Sequence, residues 1–169
     1  MLKHRQSRIR MEQSIVSHEM PQFRLYDLGD DVYFEGWQAT STRLNTYLLK
    51  LVLPTWYPDD MPSLYVAYPL VLYKHGYHGS INLEGLSHAF HTKANGPGGC
   101  TQICHSAQSD WDASKTCVGI LMKGILWLEA YEAHLLSGRD IAAIINDWGK
   151  EVNQKWHMKT ISSEGYRQI

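Results

Sequence analysis

Residues 44–53 read Leu-Asn-Thr-Tyr-Leu-Leu-Lys-Leu-Val-Leu and set the class of the fold. Every second residue from Tyr47 through Leu49 and Leu51 to Leu53 is large and apolar. That period is typical of a β-strand with one buried face. A strand of this kind needs partners, and the segments on either side of it have the same character.

Three further strands are predicted around the one at 44–54, at residues 22–29, 32–40 and 63–69. Gly29-Asp30 supplies turn chemistry between the first two, and Pro69 ends the last. Because the connections between consecutive strands are short, a four-stranded antiparallel meander is favoured.

Helical spacing precedes and follows these strands. Residues 1–19 have a weak helical pattern, and residues 112–157 contain two amphipathic runs separated by Ser137-Gly138. The apolar positions of the two runs are Val118, Leu121, Ile125 and Leu128, then Ile141, Ile144, Ile145 and Trp148. Asp112 or Ser114 is a candidate N-cap for the first run, and Ser137 for the second. Strands followed by helices predict an α+β fold.

Composition places the chain among single-domain proteins. Its 169 residues predict one domain over 1–169, and the net charge of −1 argues against nucleic acid as a partner. No apolar run reaches the length of a membrane-spanning helix, and three cysteines do not make a disulfide scaffold. A cytoplasmic location without membrane contact is the expectation.

Cys104 is the candidate nucleophile. It lies in the glycine-rich, histidine-rich segment 71–111, which has little regular pattern. Such segments inside a compact domain are usually functional or mobile. A reactive thiolate needs partial exposure and a polar neighbourhood, whereas a free cysteine is most often a buried apolar residue.

Other roles compete for the same residues. Cys100, Cys104, His88 and His91 have spacings that could supply four zinc ligands, although they match no strong zinc signature. A cysteine–histidine pair of Cys104 with His134 or His157 is a second alternative. Cys117 fits the helical pattern and is predicted to lie in the core.

Three short motifs resemble ubiquitin-conjugating (E2) enzymes. Tyr57-Pro58-Asp59-Asp60-Met61-Pro62 resembles the Tyr-Pro-x-x-x-Pro turn after their third strand, and Ile103-Cys104 resembles their active-site dipeptide. Trp111 and Thr116 are similar to the Trp-x-x-x-x-Thr that opens the next helix. The resemblance covers about residues 20–155 and implies a UBC-like fold: an N-terminal helix, the meander and C-terminal helices.

The chemistry that this resemblance implies is transfer of an acyl group through a thioester. Cys104 would accept the C-terminus of a partner protein and pass it to an amine, without a cofactor or metal. A separate enzyme would load Cys104, since no Gly-x-x-x-x-Gly-Lys motif is present. A non-catalytic E2-like scaffold that binds a protein partner remains the alternative.

The chain also departs from the family. The His-Pro-Asn motif is absent, so the oxyanion donor would be His91, Asn95 or His105. Asp140 lies at the distance of the family's acidic residue beyond the helix, but a capping role fits it better. The departures resemble divergent bacterial E2-like proteins of antiphage operons of the CBASS type, which implies a nucleotide cyclase as a candidate partner.

Two structural expectations complete the sequence-based interpretation. Trp111 is expected to pack beneath the active-site loop against the helix that begins near Thr116. Lys3, Arg5, Arg8 and Arg10 are expected to form an exposed basic face that recruits a protein partner. A second copy of the chain is a further candidate partner.

Overall fold

The computed structural model describes residues 2–42 and 45–151. Its elements are helix α1 (Leu2–Glu19), strands β1 (Phe23–Leu28), β2 (Asp31–Ala39), β3 (Thr46–Leu53), β4 (Ser63–Tyr68) and β5 (Thr101–Ile103), and helix α2 (Cys117–Ser137). A third helix, α3, begins at residue 141 and reaches residue 151. Leu44, in the predicted strand 44–54, and His157, an alternative partner of Cys104, lie outside the described residues.

The sheet is antiparallel, with the strands in sequence order β1-β2-β3-β4-β5. The α+β class and the four predicted strands are therefore present. The prediction of only four strands is wrong, because β5 adds to the edge of β4 with Leu64 opposite Ile103. Three residues are too few for a period-2 pattern to be recognised.

One face of the sheet forms the core. Tyr47, Leu49, Leu51 and Leu53 alternate with more exposed residues along β3, and each is at most 2% exposed. Helix α2 crosses this face so closely that a Cβ at Gly124 would lie 2.7 Å from the Leu64 side chain. The absence of a side chain at Gly124 thus permits the helix–sheet approach.

The buried face of α2 differs from the predicted one by about one residue. Leu121 and Leu128 are buried as predicted, whereas Val118 and Ile125 are only partly buried. The buried positions of α2 are Cys117, Ile120, Leu121, Gly124, Trp127, Leu128, Ala130, Tyr131, Glu132 and His134. In α3 the predicted residues Ile141 and Ile144 are buried.

The segment between β4 and β5 is built from short turns that pack on α2. It contains 3₁₀ turns at His75–Tyr77, Ile81–Glu84 and Pro97–Gly99. The Trp127 indole donates to the Phe90 carbonyl at 2.9 Å, and the Tyr131 hydroxyl donates to the Tyr73 carbonyl at 2.9 Å. These bonds fix the segment that leads to Cys104.

Candidate active site around Cys104

Cys104 follows the last residue of β5 and is the accessible thiol among the three cysteines. Its side chain is partly exposed, whereas Cys100 and Cys117 are buried. Burial raises the pKa of both buried thiols, which disfavours their thiolate forms. Since the thiolate is the reactive form, accessibility favours Cys104 as the nucleophile.

A short hairpin positions Cys104. Thr92 pairs with Ile103, and the Lys93 amide donates to the Gln102 carbonyl at 2.9 Å. The turn of this hairpin passes through Gly98 and Gly99, whose φ values of +71° and +82° suit glycine. The glycine-rich sequence ahead of Cys104 therefore serves to reverse the chain.

His91 is brought beside Cys104 by this hairpin. The Cys104 amide donates to the His91 carbonyl at 2.8 Å. His91 has a φ of +52°, an uncommon conformation for a residue with a side chain. The contact between the two residues is made by the main chain, and the partly exposed His91 ring remains a candidate oxyanion donor.

Asn95 lies toward the opposite end of the hairpin. Its side-chain amide donates to the Asn82 carbonyl at 2.6 Å, and the Gly96 amide next to it donates to the Cys100 carbonyl at 2.9 Å. Lys93, two residues before Asn95, pairs with Gln102, so Asn95 lies further along the hairpin toward its turn than the residues that pair beside Cys104. The structure does not bring Asn95 to Cys104.

His105 follows Cys104 but its ring is turned into the protein. It is 7% exposed, and its Nε2 donates to the Pro62 carbonyl at 2.8 Å. Burial lowers the pKa of His105, so the ring is neutral at neutral pH. The Nε2 of His105, a candidate oxyanion donor in the sequence, is thus engaged by Pro62 inside the protein.

The buried His105 ring should make stability depend on pH. In the unfolded chain its pKa is near 6.5, and burial lowers it in the folded protein. The stability contribution is thus complete above pH 6.5 and is lost as the pH falls below that value, because the unfolded state then binds more protons. We expect wild type to lose more unfolding free energy than His105→Gln between about pH 7.5 and about pH 5.5. Urea unfolding at both pH values checks this, and equal losses would contradict it.

The segment after Cys104 is tied to the turn at residues 57–62. The Trp111 indole donates to the Pro58 carbonyl at 3.0 Å, and the side chain is partly buried against the core. Thr116 is the N-cap of α2, and its Oγ1 accepts from the Gly119 amide at 3.2 Å. The predictions of Asp112 or Ser114 as N-cap are wrong, because the Asp112 carboxylate accepts from Ser114 instead.

Two charged residues of α1 hold the start of α2. Glu12 is fully buried; its Oε1 accepts from Arg8 and Tyr57 at 2.8 Å, and its Oε2 accepts from the Cys117 amide at 2.9 Å. Arg8 also donates to the carbonyls of Ala113 at 2.7 Å and Lys115 at 2.8 Å. We call Arg8 and Glu12 the α1 clamp.

The α1 clamp corrects the prediction of an exposed basic face. Arg8 is directed into the protein, and Arg5 donates to the Pro54 carbonyl at 3.4 Å while partly buried. Arg10 is exposed, and the Lys3 side chain lies outside the described part of the structure. Arg8 and Glu12 are a base and an acid four residues apart, on the same side of α1 as the buried Ile9. This spacing was the sequence signal of the buried ion pair, and it was not recognised.

A pocket of about 350 Å³ lies between the residues after Cys104 and the first turn of α2. Its walls are His105, Ser106, Trp111, Ser114, Lys115, Thr116, Gly119, Ile120 and Lys123. The Lys123 ammonium donates to the His105 carbonyl at 2.9 Å and lies 3.4 Å from Ser106 Oγ. We call this the lysine pocket.

The competing sites are not assembled. Within residues 2–42 and 45–151, no three His, Cys, Asp or Glu side chains are placed to hold a metal ion, so the zinc alternative has no ligand set there. His134 is buried, accepts from the His75 amide at 3.1 Å and donates to the Arg139 carbonyl at 2.6 Å. Both its ring nitrogens are thus used away from Cys104.

Asp140 lies immediately before α3 and is exposed. Its carbonyl accepts from the Ile144 amide at 3.1 Å, which is the position of an N-terminal cap residue. Ser137, the predicted start, belongs to the last turn of α2, where its Oγ donates to the Ala133 carbonyl at 2.7 Å. The capping interpretation of Asp140 therefore accounts for its place in the fold.

Neither α1, α2 nor the described part of α3 combines the length and apolar character that spanning a membrane requires. Comparisons with protein-family models, curated proteins and solved structures gave no match to this chain.

Proposed function

We propose that this protein is an E2-like conjugating enzyme that transfers an acyl group through Cys104. The observation that carries the proposal is the setting of this thiol. It is the accessible cysteine, it follows directly from a strand, and the lysine pocket adjoins it. A nucleophile that serves a large partner needs such a surface position.

The reaction has two steps. The Cys104 thiolate attacks the activated carbonyl carbon at the C-terminus of a partner protein; a sulfur–carbon bond forms and the activating group leaves. An amine nitrogen then attacks the same carbon, the carbon–sulfur bond breaks and the amine loses a proton to solvent. Cys104 is regenerated, and the product is an amide.

Contacts among the motifs that resemble E2 enzymes support this proposal. The turn at residues 57–62 accepts hydrogen bonds from both sides of the segment after Cys104: Pro58 from Trp111, and Pro62 from His105. Residues that lie 43 and 53 positions apart in sequence thus form one structural unit around the thiol. A UBC-like arrangement would account for their joint presence.

The departures from ordinary E2 enzymes suggest the biological setting. They resemble the bacterial E2-like proteins of antiphage operons, so we propose a role in antiviral defence in the cytoplasm. The conjugated partner would be a protein with a free C-terminus, with a nucleotide cyclase as the candidate. A separate enzyme would supply the activated C-terminus.

A synthetic peptide thioester that ends in glycine tests the chemistry without the unknown loading enzyme. Mixed with the protein, it should give an adduct of peptide mass on the tryptic fragment that contains Cys104. Hydroxylamine should remove the adduct, and a lysine-containing peptide should accept it as an amide. Recovery of the unmodified protein after long incubation with excess thioester would contradict the proposal.

A non-catalytic E2-like scaffold is the second candidate, and the environment of Asn95 and His105 favours it. Asn95 donates to Asn82 away from the thiol, and the His105 ring is bonded to Pro62. His91 is then the one remaining candidate donor, and a transferase in which His91 does not serve would lose about 2.7–4 kcal/mol of transition-state stabilisation. A scaffold is supported if Cys104 accepts the peptide but never transfers it faster than a free thiol does.

A further inference from the structure

We propose that the lysine pocket binds a carboxylate of the polypeptide that reaches Cys104, and so selects acidic sequences next to the reacting bond. This inference rests on the proposed function of Cys104 as an acyl carrier. Its ligand class is an acidic side chain, Asp or Glu, on either the donor C-terminus or the accepting chain.

The charge of the pocket wall points to an anionic ligand. Lys115 and Lys123 both line it, and its described lining residues include no Asp or Glu. The nearest acid to Lys115 is Asp112, whose carboxylate lies 3.9 Å from the ammonium and is outside the wall. This distance is at the limit of an ion pair, so Asp112 compensates the charge weakly.

Hydrogen-bond donors in the pocket also suit a carboxylate. Ser106 contributes a hydroxyl group to the same wall as the two lysines, whereas the Ser114 hydroxyl already donates to the Asp112 carboxylate. Charge-assisted hydrogen bonds of this type are stronger than neutral ones.

The pocket is close enough to Cys104 to read residues next to the reaction. Ser106 is shared: its carbonyl lies 3.8 Å from the Cys104 sulfur, and its hydroxyl lies 3.4 Å from the Lys123 ammonium. A carboxylate in the pocket would therefore belong to a residue near the scissile bond, on the donor or on the acceptor.

Peptides that differ in one charge test the proposal and distinguish the two sources. One pair of glycine-ending thioesters carries Glu or Gln near the C-terminus, and one pair of acceptors carries Glu or Gln beside a lysine. In at least one pair we expect the Glu peptide to react about threefold to tenfold faster at low salt, and the difference to shrink with added salt. The pair that shows the difference identifies the chain that enters the pocket.

The double charge reversal Lys115→Glu with Lys123→Glu should invert the preference, so that a Lys peptide reacts faster than the Glu peptide. The readout is the ratio of the Glu-peptide rate to the Gln-peptide rate within each protein, and Lys150→Glu, at an exposed position of α3, is the matched control that should keep the wild-type ratio. Equal wild-type rates for Glu and Gln in both pairs would overturn the proposal. So would a reversal that slows the Gln peptides as much as the Glu peptides.

Alkylation of Cys104 separates this inference from the proposed function. Iodoacetate and iodoacetamide each form a sulfur–carbon bond at Cys104 and release iodide, but only iodoacetate is anionic. The ratio of the iodoacetate rate to the iodoacetamide rate should fall about threefold to tenfold in the charge-reversed protein and remain constant in Lys150→Glu. If no thioester forms while this ratio falls, the proposal that the lysine pocket binds a carboxylate is supported and the acyl-transfer proposal fails. An unchanged ratio overturns the proposal for the lysine pocket.

Discussion

Replacing Cys104 with serine is expected to abolish the hydroxylamine-sensitive adduct with a glycine-ending peptide thioester. Serine at this position has no thiol, and any ester that forms resists exchange by added thiols. Intact mass before and after hydroxylamine treatment measures the adduct. The loss should be complete, because the remaining thiols at Cys100 and Cys117 are buried and burial raises the pKa of each.

The matched variants are Cys100→Ser and Cys117→Ser, which should keep the adduct. Cys117 is fully buried and its Sγ lies 3.4 Å from the Tyr57 hydroxyl, so its variant needs a thermal melt alongside to confirm folding. Cys104→Ser should melt as wild type does, since its sulfur is partly exposed and its contact with the Ser106 carbonyl is a weak 3.8 Å interaction. A thiol-sensitive adduct on Cys104→Ser would show that another residue is the nucleophile.

The strands were predictable wherever one face is buried along several residues. In β3 the period-2 pattern from Tyr47 to Leu53 matches the buried face residue by residue. The three residues of β5 have no such pattern of their own, and they form a strand because β4 offers an unpaired edge. Local sequence does not contain that information.

The helical faces were predictable to within about one residue. Val118 and Ile125 are as apolar as Leu121 and Leu128, so spacing alone does not decide which edge of the stripe is deepest. The approach of α2 to the sheet at Gly124 decides it, and places Trp127 in the core. Tertiary packing therefore sets the final rotation of the helix.

Within the candidate site, the sequence indicated Cys104 but not the groups that hold it. His105 was a candidate oxyanion donor and is instead buried, with its Nε2 donating to the carbonyl of Pro62, 43 residues away in sequence. Glu12 was not singled out, because a carboxylate in an apolar stripe interrupts the pattern that sequence analysis reads. Its partners Tyr57 and Cys117 lie 45 and 105 residues away, so the bond network is a property of the fold.

Replacing Glu12 with alanine should lower the unfolding free energy by about 3–5 kcal/mol, the usual cost of removing one partner from a buried charge pair. The change removes three hydrogen bonds: those from Arg8, Tyr57 and the Cys117 amide. The Cys117 amide at the start of α2 then has no acceptor in the apolar interior, and such groups are costly to leave unpaired. Urea unfolding at neutral pH measures the loss.

Two further variants separate the charge from the hydrogen bonds and from the helix. Glu12→Gln keeps an oxygen acceptor but loses the charge, so it should cost less than alanine, about 1–3 kcal/mol. Glu19→Ala removes an exposed carboxylate from the end of the same helix and should stay within about 0.5 kcal/mol of wild type. A loss in Glu12→Ala no larger than in Glu19→Ala would mean that the α1 clamp contributes nothing to stability. The loss of unfolding free energy should be largest for Glu12→Ala, smaller for Glu12→Gln and smallest for Glu19→Ala. This order is expected because the α1 clamp links α1 to the segment that carries Trp111 and Thr116 and leads back to the candidate nucleophile.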